Sequence, residues 1–223
     1  GRRWAGLESA AQAAIDAGLA AQDGLSEPAL ARTLLAAVAD GTVVVASSSM
    51  PVRDVEWWGQ PRHGVRVVAN RGANGIDGMV STAIGVALGS RAPTVALLGD
   101  LAFLYDAGAL LWARDRDIDL TVVVADNNGG GIFSFLPQAS ALGPDTFERY
   151  WGTPHHLDLA AVAGAYGVAA RRLSGLDQLA DAVKGGPGIR VVIAGTDRDD
   201  NVAVHARLHA AVGDAVSAAG LGT

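Results

Sequence analysis

Two apolar segments of the sequence end in oxygen-bearing side chains of the kind that bind divalent cations. Asp100 follows the run TVALLG, and Asn127 and Asn128 follow the run LTVVVAD. Carboxylate, amide and loop carbonyl oxygens suit Mg²⁺, which usually keeps its other octahedral positions for substrate phosphates and water. The glycines at 129–131 would let the backbone approach a bulky anion without Cβ clashes and let a carbonyl turn inward. Together these junctions predict a cradle for a cation and a diphosphate.

Each junction also has a plainer interpretation. Asp100 could cap a helix that begins near Leu101. Asn127 and Asn128 could be turn formers ahead of a glycine-rich loop. However, the two junctions are separated by the length of one helix and one strand, so their parent strands can be neighbours whose tips share one edge of a sheet. We therefore favour a shared cation site over two unrelated turns.

The elements that would position these residues alternate along the chain. Continuously apolar runs predict six strands, at 41–47, 65–70, 94–100, 120–127, 167–173 and 189–195. Helices are predicted at 1–22, 26–39, 77–90, 103–115, 157–166, 175–184 and 200–219, and the longest irregular stretch is 138–156. Apolar strands separated by helices indicate an α/β fold: a doubly wound, mostly parallel six-stranded sheet with helices on both faces. Ligands of such sheets bind beyond the carboxyl ends of the strands.

Composition excludes several classes of function. The chain has 223 residues, half of them hydrophobic, which suffices for one large α/β domain. The net charge of −6 disfavours a nucleic-acid surface, and the lack of cysteine excludes disulfides and thiolate metal sites. We find no apolar stretch long enough for a membrane span and no signal peptide, so a soluble cytoplasmic protein is expected. Because the sequence begins with Gly1 inside a helical pattern, it is expected to be a piece of a longer polypeptide.

Four segments carry a resemblance to a known family. Gly99-Asp100 with Asn127-Asn128 resembles the thiamine diphosphate motif, although Leu101 stands where a third glycine is usual. In order, four blocks resemble signatures of the MenD family, the 2-succinyl-5-enolpyruvyl-6-hydroxy-3-cyclohexene-1-carboxylate synthases of menaquinone biosynthesis: SSSMPVRDVEWW (47–58), ANRGANGIDGMVSTAIGVA (69–87), GDLAFLYDAGALL (99–111) and NNGGGIFSFLPQ (127–138). The match is to the family's C-terminal, diphosphate-binding domain.

The resemblance implies a thiamine diphosphate-binding fold and a carboligase-type transferase. The cofactors would be thiamine diphosphate and Mg²⁺ or Mn²⁺. The implied reaction decarboxylates 2-oxoglutarate and adds the succinyl semialdehyde carbanion to isochorismate. A glutamate that the cofactor needs would come from the N-terminal domain of a neighbouring subunit, in a homodimer or homotetramer. Residues 1–40 would be a helical lead-in from a preceding domain and 41–223 the diphosphate domain, inactive by itself.

The resemblance also implies roles for individual residues. The metal ligands would be the side chains of Asp100 and Asn127 and the carbonyl of Gly129. Gly99, Leu101, Asn128 and Gly130 would surround the diphosphate, and Ile76 would lie under the bend of the cofactor. Arg71 and Arg53 would pair with substrate carboxylates, with Ser49 as a hydrogen-bonding neighbour. Ile132 and Phe133 would line the pocket against the reacting carbons.

Some alternatives stay open. Arg53 could instead form a surface salt bridge with Asp54 or Glu56, while Ile76, Ile132 and Phe133 could be ordinary packing residues. His155-His156 is interpreted as loop surface, and Trp57-Trp58 as an interface or as packing. At the level of function, the competitors are another thiamine diphosphate enzyme, of the acetolactate synthase or decarboxylase type, and a non-catalytic cofactor-binding module.

Overall fold

The computed structural model describes residues 2–70 and 75–221. The chain folds around one six-stranded sheet. The strands are β1 (Val43–Ala46), β2 (Arg66–Ala69), β3 (Thr94–Gly99), β4 (Asp119–Asp126), β5 (Ala169–Arg172) and β6 (Gly188–Gly195). Their order is β2-β1-β3-β4-β6-β5, and every neighbouring pair is parallel. The predicted doubly wound α/β sheet is therefore confirmed, and all six predicted strands are present.

Eleven helices are described around this sheet. In chain order they are α1 (Arg2–Ala20), α2 (Glu27–Ala37), α3 (Met50–Trp58), α4 (Met79–Ser90), α5 (Asp100–Asp106), α6 (Leu110–Ala113), α7 (Gln138–Ala141), α8 (Pro144–Phe147), α9 (Leu159–Ala165), α10 (Leu176–Ala182) and α11 (Arg198–Val216). Short 3₁₀ segments lie at Ala107–Ala109 and Gly131–Phe135, and π-type turns at Glu148–Gly152 and Ser217–Leu221. None of the helices in the described ranges is both long and apolar enough to cross a membrane.

The sheet buries a separate apolar cluster on each face. One cluster joins Leu98 of β3 with Met79 of α4 and Leu159 of α9. The other joins Leu97 of β3 with Leu30 of α2, and also includes the buried face of α10. Leu97 and Leu98 point in opposite directions because successive side chains of a strand alternate between the two faces. Apolar residues at every position of β3 therefore require helices on both sides.

The two edge strands depart from the expected burial. β2 and β5 are largely exposed, and they carry Arg66, Arg171 and Arg172. Charged residues on an edge strand oppose pairing with a further strand. The continuously buried pattern holds only for the inner strands, because only these have neighbours on both sides.

Other departures concern the helices and the loop before β5. The sequence analysis did not predict α3, and the helix predicted at 103–115 begins at Asp100 and is interrupted by a 3₁₀ turn at Ala107–Ala109. The stretch 138–156, predicted to be irregular, contains α7, α8 and a π-type turn. A third small cluster packs Trp58 of α3 against Ile15 of α1 and Leu208 of α11. Trp58 is thus a packing residue, whereas Trp57 remains 41% exposed.

Candidate functional site at the carboxyl edge of the sheet

A cavity of about 290 Å³ lies beyond the carboxyl ends of β1, β3 and β4. Its walls are the segments 48–51 after β1, 99–102 after β3 and 129–133 after β4, together with Ala125, Asn127, Gly75, Ile76 and Glu27. β1 and β3 are neighbours, but the chain passes through the edge strand β2 between them, so the direction of winding reverses there. Such a reversal at the carboxyl edge is the usual ligand position in this class of sheet.

Most of the residues predicted for the site line this cavity. They are Ser49, Ile76, Gly99, Asp100, Leu101, Asn127, Gly129, Gly130, Ile132 and Phe133. Arg53 and Asn128 do not belong to its lining. Arg71 lies outside the described residues. The structure therefore brings these ten predicted residues together at one edge of the sheet.

The side chain of Asp100, at the carboxyl end of β3, forms hydrogen bonds that connect this strand end to the loop after β4. It is only 1% exposed. Its Oδ1 accepts the backbone N–H of Leu101 at 2.6 Å, and its Oδ2 accepts the N–H of Gly129 at 2.8 Å. Burial raises the pKa of this carboxyl group, and the two backbone donors oppose the rise. Asp100 is the first residue of α5, and the N-cap is Gly99, so the capping interpretation of Asp100 is wrong. Its carboxylate instead connects the start of α5 to the Gly129 loop.

Asn127 presents an unsatisfied oxygen. Its Nδ2 donates to Glu27 Oε1 at 2.7 Å. Its Oδ1 is buried and has no hydrogen-bond partner among the described residues. Since a buried acceptor without a partner is destabilising, this atom fits a cation better than it fits a closed protein interior. The Gly129 carbonyl accepts the N–H of Gly131 at 3.0 Å, which leaves it a second lone pair. The donor set therefore fits a hard divalent cation.

The glycines at 129–131 are required by protein packing. A Cβ at Gly129 or Gly130 would collide with the carbonyl oxygen of Gly152 or of Trp151, and a Cβ at Gly131 would collide with the Asn127 amide. Gly129 also has a φ of +144°, which L side chains rarely adopt. The sequence analysis attributed these glycines to the approach of an anion. In the structure, the segment 151–152 behind the loop accounts for two of them and the Asn127 side chain for the third.

The interpretation of His155 as loop surface is wrong. Its side chain is only 9% exposed, and Nε2 lies 3.2 Å from Asp100 Oδ2 and 3.6 Å from Asp126 Oδ1. One ligand atom from each of these three residues falls within 4.8 Å of the others, so His155 does have partners at metal-ligand distance. The exposed His156 donates its backbone N–H to Asn128 Oδ1 at 2.8 Å, and the two side chains are 3.1 Å apart. The segment 153–157 therefore contacts both predicted polar junctions, through His155 at Asp100 and through His156 at Asn128.

Glu27 is a site residue that the sequence analysis missed. It is 3% exposed, lines the cavity and accepts from Asn127 Nδ2 and, at 3.3 Å, from Thr196 Oγ1. Burial and the nearby Asp54 carboxyl raise the pKa of Glu27 to about 7. An acid in the first turn of a helix is ordinary, because it complements the helix dipole. The sequence therefore gave no signal that this acid reaches across to β4.

The residues predicted to bind substrate surround the start of α3. Ser49 has a φ of +77°, and its carbonyl accepts Arg53 Nη1 at 2.6 Å. Arg53 forms no salt bridge with Asp54 or Glu56 within the described chain. Instead, the buried Asp54 Oδ1 lies 2.9 Å from His205 Nε2, and His205 Nδ1 accepts the indole N–H of Trp58 at 3.3 Å. Burial raises the pKa of Asp54 well above its usual range and lowers that of His205 to about 4.

A larger cleft, of about 740 Å³, lies at the opposite edge of the sheet. Its lining includes Arg91, Asp117 and Asp119 beside the amino ends of β3 and β4. Asp119 is already paired with Arg190 at 3.1 Å. Among the predicted site residues that the structure describes, none lines this cleft, so volume alone does not make it the functional site.

Residues 45–192 match the family described as thiamine pyrophosphate enzyme, C-terminal TPP binding domain. The chain belongs to this family. The matched residues of the TPP-binding domain include the end of β1, all of β3 and β4, and the loops after these strands that line the cavity. A TPP-binding domain agrees with a cavity in which Asn127 Oδ1 has no partner among the described residues and lies beside glycine-rich backbone.

Curated relatives of this TPP-binding domain carry the name 2-succinyl-5-enolpyruvyl-6-hydroxy-3-cyclohexene-1-carboxylate synthase. The protein from Myxococcus xanthus is 44% identical over 94% of the chain, and that from Kineococcus radiotolerans is 48% identical over 88%. The protein from Chloroflexus aurantiacus is 42% identical over 99% of the chain. The resemblance to MenD inferred from the four sequence blocks is confirmed. The chain spans only 36% to 38% of the length of these relatives.

A solved structure shares the fold of the TPP-binding domain. It is a putative thiamin diphosphate-dependent enzyme from Mycobacterium smegmatis, with a TM-score of 0.58 and 23% identity. The alignment covers 78% of this chain and 32% of that one. At this identity the likeness supports the architecture of the sheet and its helices.

Proposed function

We propose that this chain is the diphosphate-binding part of a thiamine diphosphate-dependent synthase of menaquinone biosynthesis. The full-length protein would decarboxylate 2-oxoglutarate and add the resulting four-carbon unit to isochorismate. The observation that carries the proposal is the buried Oδ1 of Asn127, which has no hydrogen-bond partner in the described part of the chain and lies in the same cavity lining as Asp100. The names of the relatives support the choice of substrates.

The proposed metal site uses two side chains and one backbone carbonyl. Asp100 and Asn127 would bind Mg²⁺ or Mn²⁺ through side-chain oxygens, and Gly129 through its carbonyl. Few protein ligands are needed, because Mg²⁺ usually completes its octahedron with phosphate oxygens and water. Gly99, Leu101 and Gly130 would contact the diphosphate, since all three line the cavity. Asn128 would act indirectly, because its side chain is bonded to His156.

The remaining residues would position the cofactor and the substrates. When bound, thiamine diphosphate supplies the electron sink for decarboxylation. Ile76, which packs on the core and faces the cavity, would support the bend of the cofactor. Ser49, Arg53 and Arg71 would bind substrate carboxylates, and Ile132 and Phe133 would exclude water from the reacting carbons. Arg53 would have to turn from the Ser49 carbonyl, because it does not line the cavity in this structure.

We propose that the cofactor site is completed by a neighbouring subunit. The N-terminal domain of that subunit would contribute the glutamate that activates the cofactor, in a cytoplasmic homodimer or homotetramer. Residues 1–40 would lead in from a preceding domain, with 41–223 forming the diphosphate domain. The chain by itself would then bind the cofactor weakly and would not turn over.

Calorimetry of thiamine diphosphate binding to the full-length protein tests the cation site. We expect binding only when Mg²⁺ is present, and we expect Asp100→Ala to reduce the affinity at least tenfold, because one metal ligand is lost. Asp115→Ala, at an exposed aspartate far from the cavity lining, should bind like the wild type. Metal-independent binding that survives Asp100→Ala would favour a non-catalytic module.

Carbon dioxide release tests the choice of substrate. The full-length protein should release carbon dioxide from 2-oxoglutarate with isochorismate present, and only weakly from pyruvate. Preferential use of pyruvate would instead indicate an enzyme of the acetolactate synthase or decarboxylase type.

A further inference from the structure

The amide of Asn127 has two chemically different ends, and only one of them can bind a cation. The oxygen is a hard ligand, whereas the NH₂ group has only hydrogens to offer. Rotating the amide by half a turn would exchange the two ends without changing the shape of the side chain. Some neighbouring group must therefore decide which end faces the cavity.

Glu27 is placed to make this choice. Its Oε1 lies 2.7 Å from Asn127 Nδ2. A carboxylate has only acceptor oxygens, so it pairs with the NH₂ end of the amide. In the rotated amide, two acceptor oxygens would face each other at this distance, which is repulsive. The contact therefore holds the nitrogen against Glu27 and leaves Oδ1 unpartnered.

The position of Glu27 is itself rigid. It is the first residue of α2, directly after Ser26, whose hydroxyl caps the helix by accepting the N–H of Ala29 at 3.4 Å. Leu30 and Leu34 of the same helix are fully buried against the sheet. The backbone of Glu27 therefore cannot move away from β4 without lifting α2 off the core, and the side chain itself is only 3% exposed.

Two further features limit the movement of the Glu27 and Asn127 side chains. Thr196, just after β6, donates its hydroxyl to Glu27 Oε1 at 3.3 Å, and its backbone N–H donates to the Asp126 carbonyl at 3.0 Å. On the other side of the amide, a Cβ at Gly131 would collide with Asn127 Nδ2. The Asn127 amide is thus enclosed by α2 and by the loop after β4.

We propose that Glu27 is a positioning residue that orients the Asn127 amide so that its oxygen, and not its nitrogen, is presented to the cation. The inference depends on the proposed function, because it assumes a cation at Asp100 and Asn127. Residues that orient metal ligands commonly change metal affinity 10- to 100-fold when they are replaced. Glu27 would thus act through Asn127, without touching the substrate.

Metal affinity of the full-length protein tests the inference. Free Mn²⁺ is measured by electron paramagnetic resonance at saturating thiamine diphosphate. Glu27→Leu, which removes the acceptor at similar size, should weaken Mn²⁺ binding by about tenfold or more. Glu27→Gln keeps an acceptor oxygen and should stay within about threefold of the wild type. Glu8→Leu, the matched control, makes the same substitution at an exposed glutamate of α1 that does not line the cavity, and it should also stay within about threefold.

Gly131→Ala makes the test independent of how well Glu27→Leu folds. The added methyl group displaces the Asn127 amide from the other side, so Mn²⁺ binding should weaken by about tenfold there too. Wild-type Mn²⁺ affinity in Glu27→Leu or in Gly131→Ala would overturn the inference, as would a loss in Glu27→Gln as large as in Glu27→Leu. If the wild type itself binds no Mn²⁺ with thiamine diphosphate, the proposed function fails instead.

Discussion

At the scale of single residues, polar groups at the carboxyl edge of the sheet are held in place before any ligand arrives. Asp100 accepts two backbone N–H groups, and Asn127 is held by Glu27. His155 Nε2 lies 3.2 Å from Asp100 Oδ2. Preorganisation of this kind means that the fold, rather than ligand binding, bears the cost of burying the polar groups.

The buried carboxyl group of Glu27 should make stability depend on pH. Its folded pKa is about 7 against an ordinary value of 4.5. A raised pKa means that the folded state holds the proton more tightly, so its stabilisation is complete below pH 4.5 and is lost as the pH rises through 7. The shift corresponds to about 3 kcal/mol. Glu27→Gln cannot lose this proton and should escape the loss.

Urea unfolding with a metal chelator present measures this effect. The free energy of unfolding of Glu27→Gln, relative to the wild type, should increase by about 3 kcal/mol between pH 4.5 and pH 8. Other buried groups, such as Asp54 and His205, titrate in both proteins and largely cancel in the difference. A difference that stays constant over this range would show that Glu27 is not buried as described.

At the scale of elements, the glycine loop after β4 depends on the segment behind it. Gly130 donates its N–H to the Gly152 carbonyl at 2.7 Å. A side chain at 130 would collide with the Trp151 carbonyl, whereas a Cβ at Gly99 would meet no atom of the described residues within 4 Å. The segment 148–152 therefore shapes the loop that lines the cavity, although it lies outside the diphosphate motif.

A pair of glycine substitutions distinguishes these environments. Gly130→Ala should lower the free energy of unfolding by about 1–3 kcal/mol, because overpacking forces the backbone to shift. Gly99→Ala, with a φ of −80° and open space around its Cβ, should change it by less than about 0.5 kcal/mol. The measurement is urea unfolding of the cofactor-free protein, and equal effects of the two substitutions would contradict the described packing.

Element types were largely predictable, and the exceptions have identifiable causes. The strands are short apolar runs bounded by turn residues, a local pattern that survives folding. α3 was missed because its polar Asp54 is buried against His205, so its helical face is not apolar. The helix after β3 was predicted as continuous, but it gives way to a 3₁₀ turn at Ala107–Ala109, where Gly108 weakens helix propensity.

At the scale of the whole molecule, apolar side chains buried on both faces of the sheet stabilise the fold. Leu97 and Leu98 are adjacent in the sequence, yet they are buried in different clusters, at 2% and 0% exposure. A sheet covered on one face only would bury one of them and expose the other.

Alanine substitutions on the two faces should therefore be similarly costly. Leu97→Ala and Leu98→Ala should each lower the free energy of unfolding by about 2–5 kcal/mol, because each leaves a cavity in a packed core. Leu88→Ala, at a leucine that is 45% exposed, should cost less than about 1 kcal/mol. Denaturant unfolding of the three variants measures this, and a neutral effect at either 97 or 98 would show that one face is uncovered.

The sequence by itself determined that the sheet has six strands, that it is doubly wound and mostly parallel, and that Asp100 and Asn127 follow strands at its carboxyl edge; the order of the strands came from the structure. The features that the sequence determined follow from local patterns: apolar runs, turn residues, and polar residues at strand ends. Only the tertiary structure revealed Glu27, His155 and the orientation of the Asn127 amide. Glu27 and Asn127 are 100 positions apart, and His155 and Asp100 are 55 apart. No local pattern encodes such a pair, because its distance is set by how helices and loops pack on the finished sheet.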